Sequence, residues 1–571
     1  YIYKLTNTHY NMNFKQIPKN QHNFSIKTRA QNLTRLELET FDILVIGGGI
    51  IGAAITNDAI SRGYKVALIE QNDFASGASS KSSKLIHGGL RYLANFQFKL
   101  MAEACQQRQM LLEQESHLVR PLPFMLPIYQ GSQKPLWQIR LAMWIYDRLG
   151  QHKTAKARWP QHQIWSAAQT VVEEPLLKSQ GLIKTARYYD CATDDARFTL
   201  NLILKAHRDG AVITNYTQFT DCLEAKNQVV GAQVYDKQQG RQVEVKAKVV
   251  ISAVGPWTDK LIKQTNRYNP PWLAPTKGVH VVVPHHRLPC HAALTFDTSK
   301  DRRYMFLIPW GTHTIIGTTD TEYADDPSNV AATAADVAYI LDATKKAFPT
   351  ANIDESDLTS TYAGVRPLIH NHTPAQKSYY RSREHKIIEI KPGFFAIAGG
   401  KFTTHRIMAQ EAVDKIRSRL SPTKSQTKLT TNNTLHHYTN ASIDQCFNRL
   451  TQIDLSPNSI QHLTSRYGAD ASSILNILAE TPILAQPIIS DQPVIKAEII
   501  HAIRNEMALH LTDFLDQRTH LIARATNQAL DVAQQVADLM AIELSWTGQE
   551  KARQVANYHR HVHLNRQWQN L

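Results

Sequence analysis

The sequence predicts an α/β protein built on a parallel, doubly wound sheet, followed by a separate helical unit. Three observations predict it. A strand–glycine turn–helix–strand unit opens at Phe41. Apolar, strand-like runs then recur between helical stretches as far as Gly400. Past residue 440 the strand pattern gives way to helical spacing.

The opening unit is the most informative. Phe41-Asp42-Ile43-Leu44-Val45-Ile46 is a short apolar strand that ends in Gly47-Gly48-Gly49. Ile50 to Ile60 reads as a helix stopped by Gly63, and Lys65 to Glu70 is a second strand. Together they form a βαβ unit of about 30 residues. Three glycines of Gly47-Gly48-Gly49-Ile50-Ile51-Gly52 have a physical task. Gly47 permits the tight turn, Gly49 lets backbone approach a pyrophosphate, and Gly52 lets helix and strand pack closely. The helix N-terminus favours phosphate charge, and Glu70 can accept hydrogen bonds from an adenosine ribose. A plain tight turn between strand and helix is the bland alternative.

Two blocks follow. Ser76-Gly77-Ala78-Ser79-Ser80-Lys81-Ser82-Ser83-Lys84 supplies small hydroxyls for a pyrophosphate or ribityl chain, unless it is only a surface loop. In Leu85-Ile86-His87-Gly88-Gly89-Leu90-Arg91-Tyr92-Leu93 a flat ring could approach backbone at His87, Gly88 and Gly89. Arg91 suits an oxyanion such as phosphate, although a lone Arg more often makes a surface ion pair. Further along, strands are expected over 241–254, at His280-Val281-Val282-Val283, over Tyr304–Ile308 and at Phe394–Gly400. Helices are expected near 98–115, 195–208 and 334–347, and from Gly400 to about Arg419.

The domain boundaries read as follows. Residues 1–38 are a basic, disordered tail, 39–420 the main α/β unit, 421–439 a Thr/Asn-rich linker, and 440–571 a helical domain carrying Ile499, Ile500, Ile503 and Met507 at helical spacing. Net charge is +15 over 571 residues. Six of the basic residues fall in 1–36, which holds no acid, so the body is only moderately basic and a nucleic-acid stripe is not expected. The acid-free leader could alternatively be a mitochondrial transit segment, with Met12 as the natural start. Five scattered Cys, with no CxxC, argue against a disulfide framework or a structural zinc site. No run is long and apolar enough to cross a membrane.

Taken in order, several motifs resemble one family. They are Gly47–Gly52, Ser82–Leu93, Gly255-Pro256-Trp257, Lys277-Gly278-Val279-His280, Ile308-Pro309-Trp310 with Ile316-Gly317-Thr318-Thr319-Asp320, Gly364-Val365-Arg366-Pro367-Leu368, and Gly399-Gly400-Lys401-Phe402-Thr403-Thr404. The chain is similar to the FAD-dependent, respiratory glycerol-3-phosphate dehydrogenases over about 41–410, and more weakly at Arg466-Tyr467-Gly468 and Ala497-Glu498.

The resemblance implies a glutathione-reductase-type FAD-binding (Rossmann-like) domain, interleaved with a mixed-sheet substrate domain, plus an all-helical C-terminal cap. It implies noncovalent FAD held by Gly47, Gly49, Gly52, Glu70, Ser79, Ser83, His87, Gly88, Gly89, Gly399, Lys401 and Thr403. It places Arg91, Tyr92, Arg366, Arg383 and Lys401 around the substrate, and His280 near the flavin. Arg366 is expected to be essential, with His280 as a candidate base or simply a packed histidine. Val254 departs from the family's Thr, and His370-Asn371-His372 from its acidic segment, so Arg381 is an alternative to Arg383.

The implied reaction takes sn-glycerol 3-phosphate to dihydroxyacetone phosphate and passes electrons to a membrane quinone. The protein is then expected peripherally on the cytoplasmic face of a bacterial inner membrane, or on the mitochondrial inner membrane. A homodimer is left open, and no metal is expected. The segment Pro135–Tyr146, apolar and aromatic, is either the membrane contact or a buried helix. The rival readings are an oxygen-using glycerol-3-phosphate oxidase, an amine or amino-acid oxidase, and a nonenzymatic flavoprotein.

Overall fold

A computed structural model describes residues 24–90, 97–132, 134–150, 159–265, 271–298, 303–370, 384–420 and 440–569. Two sheets organise the first 420 residues. In the first, Thr40–Ile46 lies between Arg241–Ser252 and Val66–Ile69, all parallel, with Val212–Thr214 beyond. Phe394–Gly399 extends it on the other side, in parallel, and His385–Lys391 closes the edge antiparallel. Thr40–Ile46, Val66–Ile69, Val212–Thr214 and Phe394–Gly399 are short, apolar and mostly buried, as strands covered on both faces are. Ile43, Val45 and Leu68 pack toward the helices Ile50–Ser61, Asp195–Arg208 and His405–Ile416. Leu44, Ile46 and Ile69 pack on the opposite face.

That opposite face corrects one expectation. The stretch read as a disordered tail through residue 38 contains a helix, Ile26–Leu38, whose Leu33 and Leu36 cover Leu44 and Ile46. The polar composition concealed it because its anchors are polar. Arg29 is buried and pairs with Asp236 at 2.5 Å, and the Asn32 side chain donates to the Ile213 carbonyl. Residues 1–23 lie outside the described residues.

The second sheet has ten strands, drawn from 85–193 and 276–366, and so is threaded between the segments of the first. Its centre is mostly antiparallel: Thr276–Pro284 pairs with His313–Gly317 on one side and Ser360–Arg366 on the other. The helices expected near 98–115, 195–208 and 334–347 are Phe98–Gln114, Asp195–Arg208 and Ala334–Ala347.

Beyond 440 the chain is helical, from Asn440–Leu450 to Gly548–Asn565, with a π-helical turn at Asp513–Arg518. Ile499, Ile503, Phe514, Val536 and Met540 form its core. Ile500 turns instead into a second cluster with Leu463 and Ile474. No described helix is long and apolar enough to cross a membrane.

Candidate functional site: a cavity between the two sheets

A cavity of about 1160 Å³ runs from the glycine turn of the first sheet to the centre of the second. Gly47, Gly49, Glu70, Ser79, Ser83, His87, Gly89, His280, Arg366, Gly399, Lys401 and Thr403 all line it. Two expected residues stand behind the wall. A Cβ on Gly52 would fall 1.9 Å from the Gly47 carbonyl, and one on Gly88 would fall 2.4 Å from Cys105 Sγ and 2.5 Å from the Tyr146 hydroxyl. Arg91, Tyr92, Arg381 and Arg383 lie outside the described residues.

The glycine end is shaped by close backbone approach. Gly47 has φ +109°, and a Cβ there would lie 2.7 Å from the Ala253 carbonyl. Gly49 leads directly into the helix Ile50–Ser61. Ser79 Oγ accepts from the Ile50 amide at 2.9 Å, which brings the Ser/Gly-rich loop onto that helix N-terminus. Glu70 accepts from the amides of Gly48 (2.6 Å) and Asn72 (2.8 Å). Burial raises its pKa, and these two bonds oppose the rise. The turn, the helix N-terminus and the terminal carboxylate fit the diphosphate and ribose of a dinucleotide.

The other end is set by sheet register. His280 stands opposite Gly317 on one neighbouring strand and Tyr362 on the other. Its ring stacks on Tyr362 with centroids 4.7 Å apart, over Gly317, where a Cβ would reach 2.4 Å from Cδ2. Nε2 lies 2.8 Å from Ser83 Oγ, and Nδ1 is buried with no hydrogen-bond partner among the described residues. Burial, then the charges of Arg366 and Lys84, hold the His280 pKa well below the usual histidine value. The ring is therefore neutral at physiological pH.

Arg366 lies flat across Gly278, where a Cβ would come 2.2 Å from Nη2. Asp320 Oδ1 (3.1 Å), Thr318 Oγ1 (3.0 Å) and the Thr319 carbonyl (3.1 Å) accept from it. Both ends of this constellation are thus glycine-backed, and the cationic end is oriented by a buried carboxylate.

Several supporting residues escaped sequence reasoning. Arg303 lines the cavity and stands 3.7 Å from Asp320. Asp190 accepts from the Gly88 amide (3.1 Å), the Tyr146 hydroxyl (2.6 Å) and Arg108. It thereby holds the Gly88–Gly89 turn. Lys84 pairs with Asp195 at 2.6 Å, and Asp195 also accepts from Ser82 Oγ. Asp320 sits inside a quoted motif, so a search for a counter-charge to Arg366 would have found it. Asp190, Arg108 and Asp195 carried no local signal.

Comparison with known proteins gives the family. The family model described as FAD dependent oxidoreductase matches residues 42–415, and that described as the C-terminal domain of alpha-glycerophosphate oxidase matches 425–551. The chain is 38% identical to glycerol-3-phosphate dehydrogenase 2 of Mycobacterium tuberculosis, over 93% of this chain and 89% of the relative. It is 36% identical to the aerobic glycerol-3-phosphate dehydrogenase of Staphylococcus haemolyticus, over 90% and 92%. Among solved structures it matches the FAD complex of the Bacillus halodurans glycerol-3-phosphate dehydrogenase with TM-score 0.77 and 29% identity, covering 95% of this chain and 98% of that one.

Proposed function

The chain belongs to the FAD-dependent glycerol-3-phosphate dehydrogenase family, and on that premise we propose that it oxidises sn-glycerol 3-phosphate at its second carbon and passes the electrons to a membrane quinone. The observation that carries this reading is the cavity itself. It joins a glycine cradle for a diphosphate to a half-buried arginine held by Asp320 beside a neutral histidine.

Oxidation of a secondary alcohol removes two electrons with the carbon-bound hydrogen and one proton from the hydroxyl. FAD, bound along the glycine end, supplies the hydride-accepting chemistry. Arg366 supplies a fixed positive charge at the cavity wall and stabilises negative charge as the hydroxyl proton leaves. Lys401, on the cavity wall, adds a second cation for a phosphorylated substrate. His280, a neutral cavity-lining imidazole whose Nδ1 has no hydrogen-bond partner among the described residues, is the candidate to take that proton. The same charges that depress its pKa also favour the alkoxide, so Arg366 bears the larger share of the barrier.

The quinone reading draws on the helix Leu136–Gly150. Trp137, Leu141 and Trp144 are 64%, 51% and 53% exposed along one side, while Ile139, Met143 and Tyr146 are buried on the other. Trp137, Ile139, Leu141, Ala142 and Met143 all line the cavity. The Arg148 guanidinium stands 5.2 Å from the Trp144 ring. A helix that exposes Trp137, Leu141 and Trp144 together with Arg140 and Arg148, and is open to the cavity within, suits a lipid interface, here the cytoplasmic face of a bacterial membrane.

The deciding experiment mixes the holoenzyme with sn-glycerol 3-phosphate without oxygen. Bleaching of the flavin band, absent with glycerol, is expected, and recolouring by a quinone faster than by oxygen is expected next. A flavin that stays oxidised sinks the substrate reading. Rapid recolouring by oxygen with peroxide release replaces the quinone by an oxidase, the activity named in the description of the C-terminal domain's family model.

A further inference from the structure

The helical C-terminal domain reaches the cavity through one buried carboxylate. Asp516, in the turn Asp513–Arg518, accepts from Lys81 Nζ at 2.9 and 3.2 Å and from His561 Nε2 at 3.0 Å. Lys81 lies on the cavity wall, 435 residues earlier in the chain. Burial works to raise the Asp516 pKa, but the Lys81 charge and the His561 bond outweigh it and hold the carboxyl below its ordinary range.

Lys81 begins a three-residue strap that crosses the strand Ser360–Arg366. Its backbone passes so close to Gly364 that a Cβ there would lie 3.0 Å from the Lys81 carbonyl oxygen. The Tyr362 hydroxyl donates to the Ser82 carbonyl at 3.0 Å, and Ser83 Oγ meets His280 Nε2. The C-terminal domain grips the start of the same strand: Ser360 Oγ donates to the Ala523 carbonyl and Thr361 Oγ1 to the Asn565 carbonyl.

We propose that Asp516 is a positioning residue of the helical domain that, through Lys81, holds the Lys81-Ser82-Ser83 strap against the cavity so that Ser83 sets His280 and the adjoining loop closes on the cofactor. The proposal rests on the reading of the cavity as an FAD and polyol-phosphate site. It assigns the C-terminal domain a direct part in that site.

The test compares FAD release from the diluted holoenzymes, read as the gain in flavin fluorescence, and flavin reduction by sn-glycerol 3-phosphate. Breaking a buried pair leaves a charge uncompensated, whereas replacing both members is far milder. Asp516→Asn and Lys81→Met are therefore each expected to release FAD about tenfold faster and to slow reduction similarly, while Lys81→Met combined with Asp516→Leu returns within about threefold of wild type, the non-additivity expected of a coupled pair. Loss in Lys81→Met with Asp516→Asn unchanged overturns the proposal, because Lys81 then acts directly on a ligand. So does a double variant whose losses simply add. If wild-type flavin is not reduced by the substrate, the substrate reading fails while the FAD-release comparison still decides on Asp516. His561→Gln, which leaves the ion pair in place, gives a smaller increase in release and serves if Asp516→Asn does not accumulate.

Discussion

One end of the cavity is shaped by side chains that are missing, the other by charged side chains held by counter-charges. Gly47 and Gly52 leave backbone against backbone, with no room for a methyl group. Arg366 and His280 also rest on glycines, but they are placed by Asp320 and Ser83. The difference teaches where each end is vulnerable. Steric error at the glycine end costs the fold. Electrostatic error at the other end leaves the fold and costs the chemistry.

The largest effect is expected from Gly52→Ala, whose Cβ meets the Gly47 carbonyl at 1.9 Å. Overpacking against rigid backbone should cost about 3 kcal/mol. The readout is the yield of folded, yellow protein together with its thermal midpoint. A stable, fully loaded variant would break the contrast.

Arg366→Met should keep FAD and a near-native melting curve while flavin reduction slows by about 10³-fold. Asp320→Asn keeps the guanidinium but removes its anchor, and should cost about tenfold in kcat/KM. Stopped-flow reduction separates the two. Equal losses would mean that Asp320 does more than orient.

Acid sharpens the same comparison. Burial depresses His280 well below the usual histidine pKa, and takes His520 and His313 to about 4 and His405 to about 3. Unfolded, each titrates near 6.5. Between those values the unfolded chain binds protons that the folded one refuses, so stability falls as pH drops below about 6.5 and goes on falling to about 4. Imidazole resonances of the folded protein that titrate near pH 6.5 at these positions would contradict the buried, neutral state of the rings. Flavin reduction should show no step near pH 6.5 from His280, since its ring is already neutral there.

The smallest effect on turnover belongs to the surface. Trp144→Ser should leave reduction by substrate unchanged and weaken sedimentation with anionic vesicles. Unaltered vesicle binding would move the membrane contact elsewhere.

The glycine end was legible because its parts lie within one βαβ unit: Gly47, Gly52 and Glu70 are joined by a single helix and two strands. The helical character after residue 440 was legible for a related reason, its apolar spacing being local. The helix Ile26–Leu38 was not, because Arg29 is stabilised by Asp236 across 207 positions, and alone it reads as a polar tail. Likewise, the pairing of His280 with Ser83 spans 197 positions and that of Lys81 with Asp516 spans 435.

By itself the sequence determined a dinucleotide turn, an α/β frame and the kinds of residue the chemistry needs, since short-range sterics and periodicity decide these. Only the tertiary structure decided which residues meet. Register across Thr276–Pro284 sets His280 between Gly317 and Tyr362, and packing of the helical domain brings Asp516 to Lys81. Partners so far apart in the chain are matched by burial and charge compensation, which no local stretch of sequence can express.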